Sequence, residues 1–134
     1  MDDRRNINRG FKKLQVWNDA IELYILVCKT LMNTPFEFKK TVSNAIDAAQ
    51  SISRNIAEGY CRKSIREYLQ FLYYALGSCG ELHSCLFSMA KAEHITVEDF
   101  NTIDELQYKT ENRLIQLTKS MQRKMKSKDW NDTL

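Results

Sequence analysis

Apolar residues recur at every third or fourth position over one long stretch: Ile65, Tyr68, Leu72, Ala75, Cys79, Leu82, Leu86 and Met89. That spacing traces one face of an α-helix. A helix over residues 65–93 would be about 42 Å long at 1.5 Å per residue. A second stripe, Phe71, Tyr74, Ser78 and Cys85, lies beside the first. An arc this wide has to be covered from more than one side. One Pro and four Gly among 134 residues leave little material for the turns of a sandwich or barrel. With 43% hydrophobic and 28% charged residues, the chain is a globular domain rather than a disordered segment.

Three start signals divide the rest. Thr34-Pro35-Phe36-Glu37 has the form of a capping box with Pro at the first helical position. Ser64-Ile65-Arg66-Glu67 is a second box, and Thr96-Val97-Glu98-Asp99 a third with Asp in the Glu role. Together with an initial helix they predict four helices, over residues 14–32, 35–58, 65–93 and 97–125. The first carries Leu14, Trp17, Ile21, Tyr24, Cys28 and Leu31 as its main stripe, with Val16, Leu23 and Val27 off it. The second carries Val42, Ala45, Ala49, Ile52 and Ile56, and the fourth Phe100, Ile103, Gln107, Thr110, Leu114, Leu117 and Met121. Gly59 is expected to end the second helix in a left-handed conformation. Short connections make neighbours antiparallel, so the expected fold is all-α, an up-down-up-down four-helix bundle over residues 14–126. Residues 1–13 read as a flexible basic lead-in and residues 127–134 as a frayed tail. Gly77 and Gly80 sit mid-helix, where each costs about 1 kcal/mol relative to Ala. That points to close contact with another helix or subunit. With Phe71, Tyr74, Ser78 and Glu81, Gly77 marks a candidate oligomer interface.

The formal charge of +3 is concentrated at the termini. Arg4, Arg5, Arg9, Lys12 and Lys13 stand near the start; Lys119, Arg123, Lys124, Lys126 and Lys128 stand near the end. Basic arms suit a polyanion, whose phosphates release counterions on contact. On composition alone, solvated tails that keep the protein soluble are the first reading. The four cysteines form no C-x-x-C pair, which fits reduced thiols in a cytoplasmic protein. No apolar run approaches the roughly 20 residues of a membrane span, and the polar start has no signal-peptide core.

Catalytic chemistry finds few carriers. A carboxylate-bridged metal site in a helical bundle needs Glu-x-x-His on two helices. Here Glu81-Leu82-His83 is one residue too short and stands alone. With only His83 and His94 available, a multi-histidine metal site is ruled out. Neither a phosphate-binding glycine loop nor a nucleophile elbow is present. The reading is therefore non-enzymatic, with no cofactor. Asn55, Glu58, Gly59, Ser64 and Glu67 cluster at the turn between the second and third helices. They read as a structural corner: Asn55 hydrogen-bonding across the turn, Glu58 pairing with Arg62 or satisfying amides, and Ser64 capping. Trp17, Tyr24, Tyr68, Phe71 and Tyr74 could stack on bases, but aromatic residues at helical spacing are more often core or interface.

The corner also carries a resemblance. Asn55-Ile56-Ala57-Glu58-Gly59, then Ser64-x-x-Glu67-x-x-x-Phe71-Leu72-x-x-Ala75-x-Gly77-Ser78-x-x-Glu81-Leu82, resembles the signature of proteins encoded in intervening sequences of bacterial 23S rRNA genes, the S23 ribosomal protein family. Phe11-x-x-Leu14-x-Val16-Trp17 is similar to that family's opening, and the likeness spans about residues 11 to 120. It implies a four-helix bundle assembled as a homopentameric ring. It also implies kinship with accessory variability proteins of diversity-generating retroelements, which bind RNA and a reverse transcriptase through a basic surface. The chain departs from the pattern where a basic pair and a Pro are usual in the second helix, carrying Ile46-Asp47 and Ser53 instead. The resemblance thus implies a non-catalytic homo-oligomer that binds RNA or DNA; the other reading is a protein-interaction scaffold without nucleic acid. Candidate nucleic-acid contacts are Lys119, Arg123, Lys124, Lys126 and Lys128, then Arg62, Lys63 and Arg66, with Arg4, Arg5 and Arg9.

Overall fold

The computed structural model describes residues 4–127. The described chain is all-helical, with no strand. A 3-10 segment, Ile7–Lys13, precedes helix α1, Gln15–Leu31. A short 3-10 turn, Phe36–Phe38, leads into α2, Lys39–Tyr60. Helix α3 is Ile65–Lys91 and α4 is Val97–Ser127.

Two of the three capping boxes form. The Ser64 hydroxyl accepts from the Glu67 amide at 3.0 Å, and the Thr96 hydroxyl accepts from the Asp99 amide at 3.0 Å. The box at Thr34 does not open α2. Pro35 holds ψ at 146°, so the chain stays extended there and makes a 3-10 turn before the α-helix starts at Lys39. Residues 7–13, expected to be flexible, are folded as the 3-10 segment. Its Phe11 ring packs edge-on against Trp17 and Tyr60, with centroids 5.2 and 6.4 Å away.

The third helix keeps its whole main stripe inside: all eight positions from Ile65 to Met89 are buried. Helix α1 differs from expectation. Its innermost residues are Val16, Ala20, Leu23, Val27 and Leu31, while Leu14, Trp17 and Tyr24 lie at the margin of the core, partly buried. Both stripes have helical spacing. The narrower aliphatic one enters the centre, and the larger side chains cover the flanking grooves. Helix α2 brings Ala45, Ala48 and Ala49 to the core with no exposed surface beyond 2%. These small residues allow α3 to approach, and a bond between the Ser51 and Ser78 hydroxyls, 2.7 Å apart, crosses that contact.

Each helix touches two others: α1 packs on α2 and α4, and α3 packs on α2 and α4. Between α3 and α4, Gln122 donates to the Tyr73 hydroxyl at 2.7 Å, Gln107 to the Cys79 carbonyl at 2.7 Å, and His83 faces Asp104 at 3.1 Å. Numbers rise along one helix as they fall along the other. Gln107 is fully buried, and its second amide hydrogen goes to Glu111 at 3.0 Å. Burial, reinforced by Glu111, pushes the Cys79 thiol up to about 12, so it stays neutral in the folded chain. Asp19, only 1% exposed, joins α1 to α4 by accepting from Arg113.

The left-handed residue of the described chain is Glu93, at φ 64°, rather than Gly59. It closes α3 in a Schellman motif: the His94 amide donates to the Met89 carbonyl at 2.8 Å and the Glu93 amide to the Ala90 carbonyl at 3.1 Å. A side chain is unfavourable in this conformation by roughly 1–2 kcal/mol, while Gly gives some of that back as unfolded-chain entropy. Glu93→Gly should therefore raise stability by about 1 kcal/mol, read as a higher urea midpoint at unchanged m-value.

Candidate nucleic-acid interface

Helical pairings decide which basic residues share a region. The Gln122–Tyr73 bond sets the last turns of α4 beside the beginning of α3. The N-terminal 3-10 segment is held against the end of α2: Phe11 contacts Tyr60, and the Cys61 thiol donates to the Asn8 carbonyl at 3.1 Å. Three basic groups, distant in sequence, thus collect at one end of the molecule. They are the N-terminal segment, the turn between α2 and α3, and the C-terminal turns of α4.

On α4, Lys119, Arg123 and Lys126 recur at helical spacing and are exposed, with Lys124 exposed beside them. Lys124 and Lys126 lie in the last turn of α4, a position that suits cations. Lys128 lies outside the described residues. At the turn, Lys63 and Arg66 are exposed. Arg62 is engaged locally: it pairs with Glu58 at 2.7 Å and lies 4.8 Å from the centre of the Phe71 ring. Arg4, Arg5 and Arg9 are exposed on the N-terminal segment.

The corner itself differs from expectation at two residues. The Asn55 amide turns back along its own helix, donating to the Ser51 carbonyl at 2.8 Å and the Ser51 hydroxyl at 2.9 Å, and does not cross the turn. It supports the Ser51–Ser78 bridge. Gly59 is the second difference. It lies within α2, and a Cβ there would stand 2.8 Å from the Phe71 Cβ and 3.0 Å from the Tyr68 ring. Close helix contact, rather than a left-handed turn, requires glycine here. Glu67 takes part through its backbone amide on Ser64, and its side chain is exposed.

On α3, Ser78 is buried inside the protomer, and Phe71 is half-buried against Tyr74. Tyr74, Gly77 and Glu81 face outward, as does Gly80. A Cβ at Gly77 or Gly80 would meet no atom of the described residues within 4 Å. Neither glycine is therefore needed for packing among the described residues.

A family profile described as 23S rRNA-intervening sequence protein matches residues 12–116. The chain belongs to this family. No curated protein matches it at a significant level. A solved structure, a protein of unknown function from the S23 ribosomal protein family of Bacteroides thetaiotaomicron, is similar in fold, with a TM-score of 0.69 at 23% identity. The likeness covers 78% of this chain and 98% of that one. The matched span of the 23S rRNA-intervening sequence protein family includes the corner and the outward face of α3. It stops before Lys119, and most of the N-terminal segment precedes it.

Several residues of this region carry no obvious sequence signal. Tyr60 and Cys61 anchor the N-terminal segment through contacts that span some fifty residues of chain. Asp19 does carry one. It stands between Val16 and Leu23 on the aliphatic stripe, where an unpaired carboxylate would be costly. Among the described residues, no group of three or more His, Cys, Asp and Glu side chains is placed to hold a metal. No described helix is long and apolar enough to cross a membrane.

Proposed function

We propose that this protein is a non-catalytic, cytoplasmic RNA-binding accessory protein. Its antiparallel up-down-up-down four-helix bundle assembles into a homo-oligomeric ring. The gathering of three basic groups at one end supports this reading most directly. Exposed cations on separate elements can follow the spaced phosphates of a folded or single-stranded RNA. Glycines mid-helix on α3, with open space before them, support assembly: they weaken the helix without serving the protomer. A pentamer, and a reverse transcriptase as protein partner, follow from the kinship with retroelement accessory proteins implied by the sequence.

Binding should fall steeply with salt. Neutralising Lys119, Arg123 and Lys126 should flatten the slope of log K against log salt by about 0.7 per lost phosphate contact on single strands. A fluorescence anisotropy titration at several salt concentrations, with RNA and DNA of the same sequence, measures it. Light scattering at micromolar concentration tests assembly; a monomer there would contradict the ring.

The second reading is a protein-interaction scaffold. It draws on the exposed aromatic cluster of α3 and α4, where Phe87 is 48% exposed and packs on His83 and Phe100. Absence of RNA and DNA binding at low salt would favour it.

A further inference from the structure

Tyr73 stands where α3 meets the last turns of α4, at the end of the molecule that gathers the basic groups. It is a large aromatic residue, yet 44% of it is exposed. Its hydroxyl accepts from the Gln122 amide at 2.7 Å, so the side chain is tethered at its polar tip while the residue stays open to solvent. Tethering removes part of the freedom that a loose side chain would lose on binding.

Cations bracket this ring. On α4, Lys119 lies three residues before Gln122 and Lys126 four residues after it, so both share the Gln122 side of the helix, one turn away in each direction. On α3, Arg66 lies seven residues before Tyr73, two turns back on the same side. All three are exposed. One turn beyond Tyr73, Gly77 presents no side chain, and a Cβ there would meet no atom of the described residues within 4 Å. The helix surface beside the ring is therefore open. Other exposed aromatic residues have a different setting. Tyr74 packs edge-on against Phe71, with centroids 5.5 Å apart, and Tyr108 lies about 21 Å from Gln122 along α4.

Cations alone follow a phosphate chain whether or not its bases are paired. An aromatic face offers something that only an unpaired base can use, because bases inside a duplex are already stacked on both sides. We propose that Tyr73 is a stacking platform for an unpaired RNA base, with Lys119, Lys126 and Arg66 holding the neighbouring phosphates, so that the protein selects single-stranded over duplex RNA. This role rests on the RNA-binding reading and extends it: charge supplies the attraction, and Tyr73 chooses the state of the strand.

A fluorescence titration of the full chain tests it, using a single-stranded RNA that carries 2-aminopurine, an adenine analogue whose emission changes on stacking. The unaltered protein should change that emission and bind the single strand more tightly than the same strand paired in a duplex. Tyr73→Leu should weaken single-strand binding by about ten-fold, the order of one base–aromatic stack. It should also abolish the emission change and leave duplex affinity as it was. Tyr73→Phe keeps the ring and should keep most of both effects. Neutralising Lys119 and Lys126 should weaken single strand and duplex alike. If the unaltered protein binds neither form, the RNA-binding reading and the stacking role fall together. If it binds both, and Tyr73→Leu behaves identically, the stacking role alone is overturned. An equal loss on single strand and duplex in Tyr73→Leu, with an altered mass by light scattering, also overturns it and assigns Tyr73 to a subunit contact. Tighter binding of the DNA strand of the same sequence would overturn the assignment to RNA. An unchanged circular dichroism melt confirms that the variants fold.

Discussion

Gly59→Leu should destabilise the fold by about 3 kcal/mol, the upper part of the range for overfilled cores. The added side chain meets the Phe71 Cβ at 2.8 Å, the Tyr68 ring at 3.0 Å and the Tyr68 carbonyl at 3.2 Å, all counted from its first carbon alone. Two of these neighbours are a Cβ and a main-chain oxygen of α3, so neither can swing away as a side-chain tip would. Relief requires α2 and α3 to separate at the corner, which exposes Ile56 and Ile65, both buried to within 1%. For a domain of this size the melting temperature should fall by roughly 12 °C. Gly59→Ala should cost less, about 1 kcal/mol, because improved helix propensity offsets part of the clash. A melting temperature unchanged in the leucine variant would show that the two helices do not meet as closely as described.

The second large effect concerns Asp19. Its carboxylate accepts from Gln15 at 2.9 Å and from Arg113, with only 2% of the side chain exposed. Removing one partner of a buried pair leaves a charge that neither water nor protein solvates well, at a cost of 3–5 kcal/mol when burial is complete. Arg113 is 42% exposed, so water can reach the vacated position. The expected loss for Arg113→Leu is accordingly reduced to about 2 kcal/mol. Adding Asp19→Asn to that variant removes the stranded charge and should recover at least half of the loss. Urea unfolding of the two single variants and the double variant gives the coupling directly. A purely additive cycle would show that the pair is solvated and contributes little.

Local rules carried much of this fold and failed where a local pattern has two physical causes. Ser64 and Thr96 cap helices as their side chains suggest, because the bond closes within three residues. Thr34 has the same form, but Pro35 kept the chain extended and moved the helix start to Lys39. Gly59 and Glu93 exchange the roles their residue types suggest. A glycine near a helix end looks alike in sequence whether it is needed for a backbone angle or for a close approach. Only the position of Tyr68 and Phe71 across the corner separates the two. On α1, two apolar stripes shared one spacing, and the choice between them depended on how α2 and α4 dock. Cross-chain partners such as Asp19 with Arg113 or Tyr73 with Gln122 are invisible to local pattern, since 94 and 49 residues intervene. The same holds for the candidate site. The separate basic clusters could be read from the chain, but their meeting at one end could not.

That meeting has an electrostatic consequence. Residues 14–117 carry 13 acidic side chains against 10 basic ones, so with cations gathered at one extremity the protomer is a charge dipole along its helices. A polyanion would orient it in flight, so that encounters begin with the basic extremity leading and a larger share of them become productive. Symmetry then decides the fate of that dipole. A cyclic ring whose axis follows the helices adds the dipoles of its copies into one charged rim. A dihedral arrangement opposes them and leaves an assembly with two weaker faces.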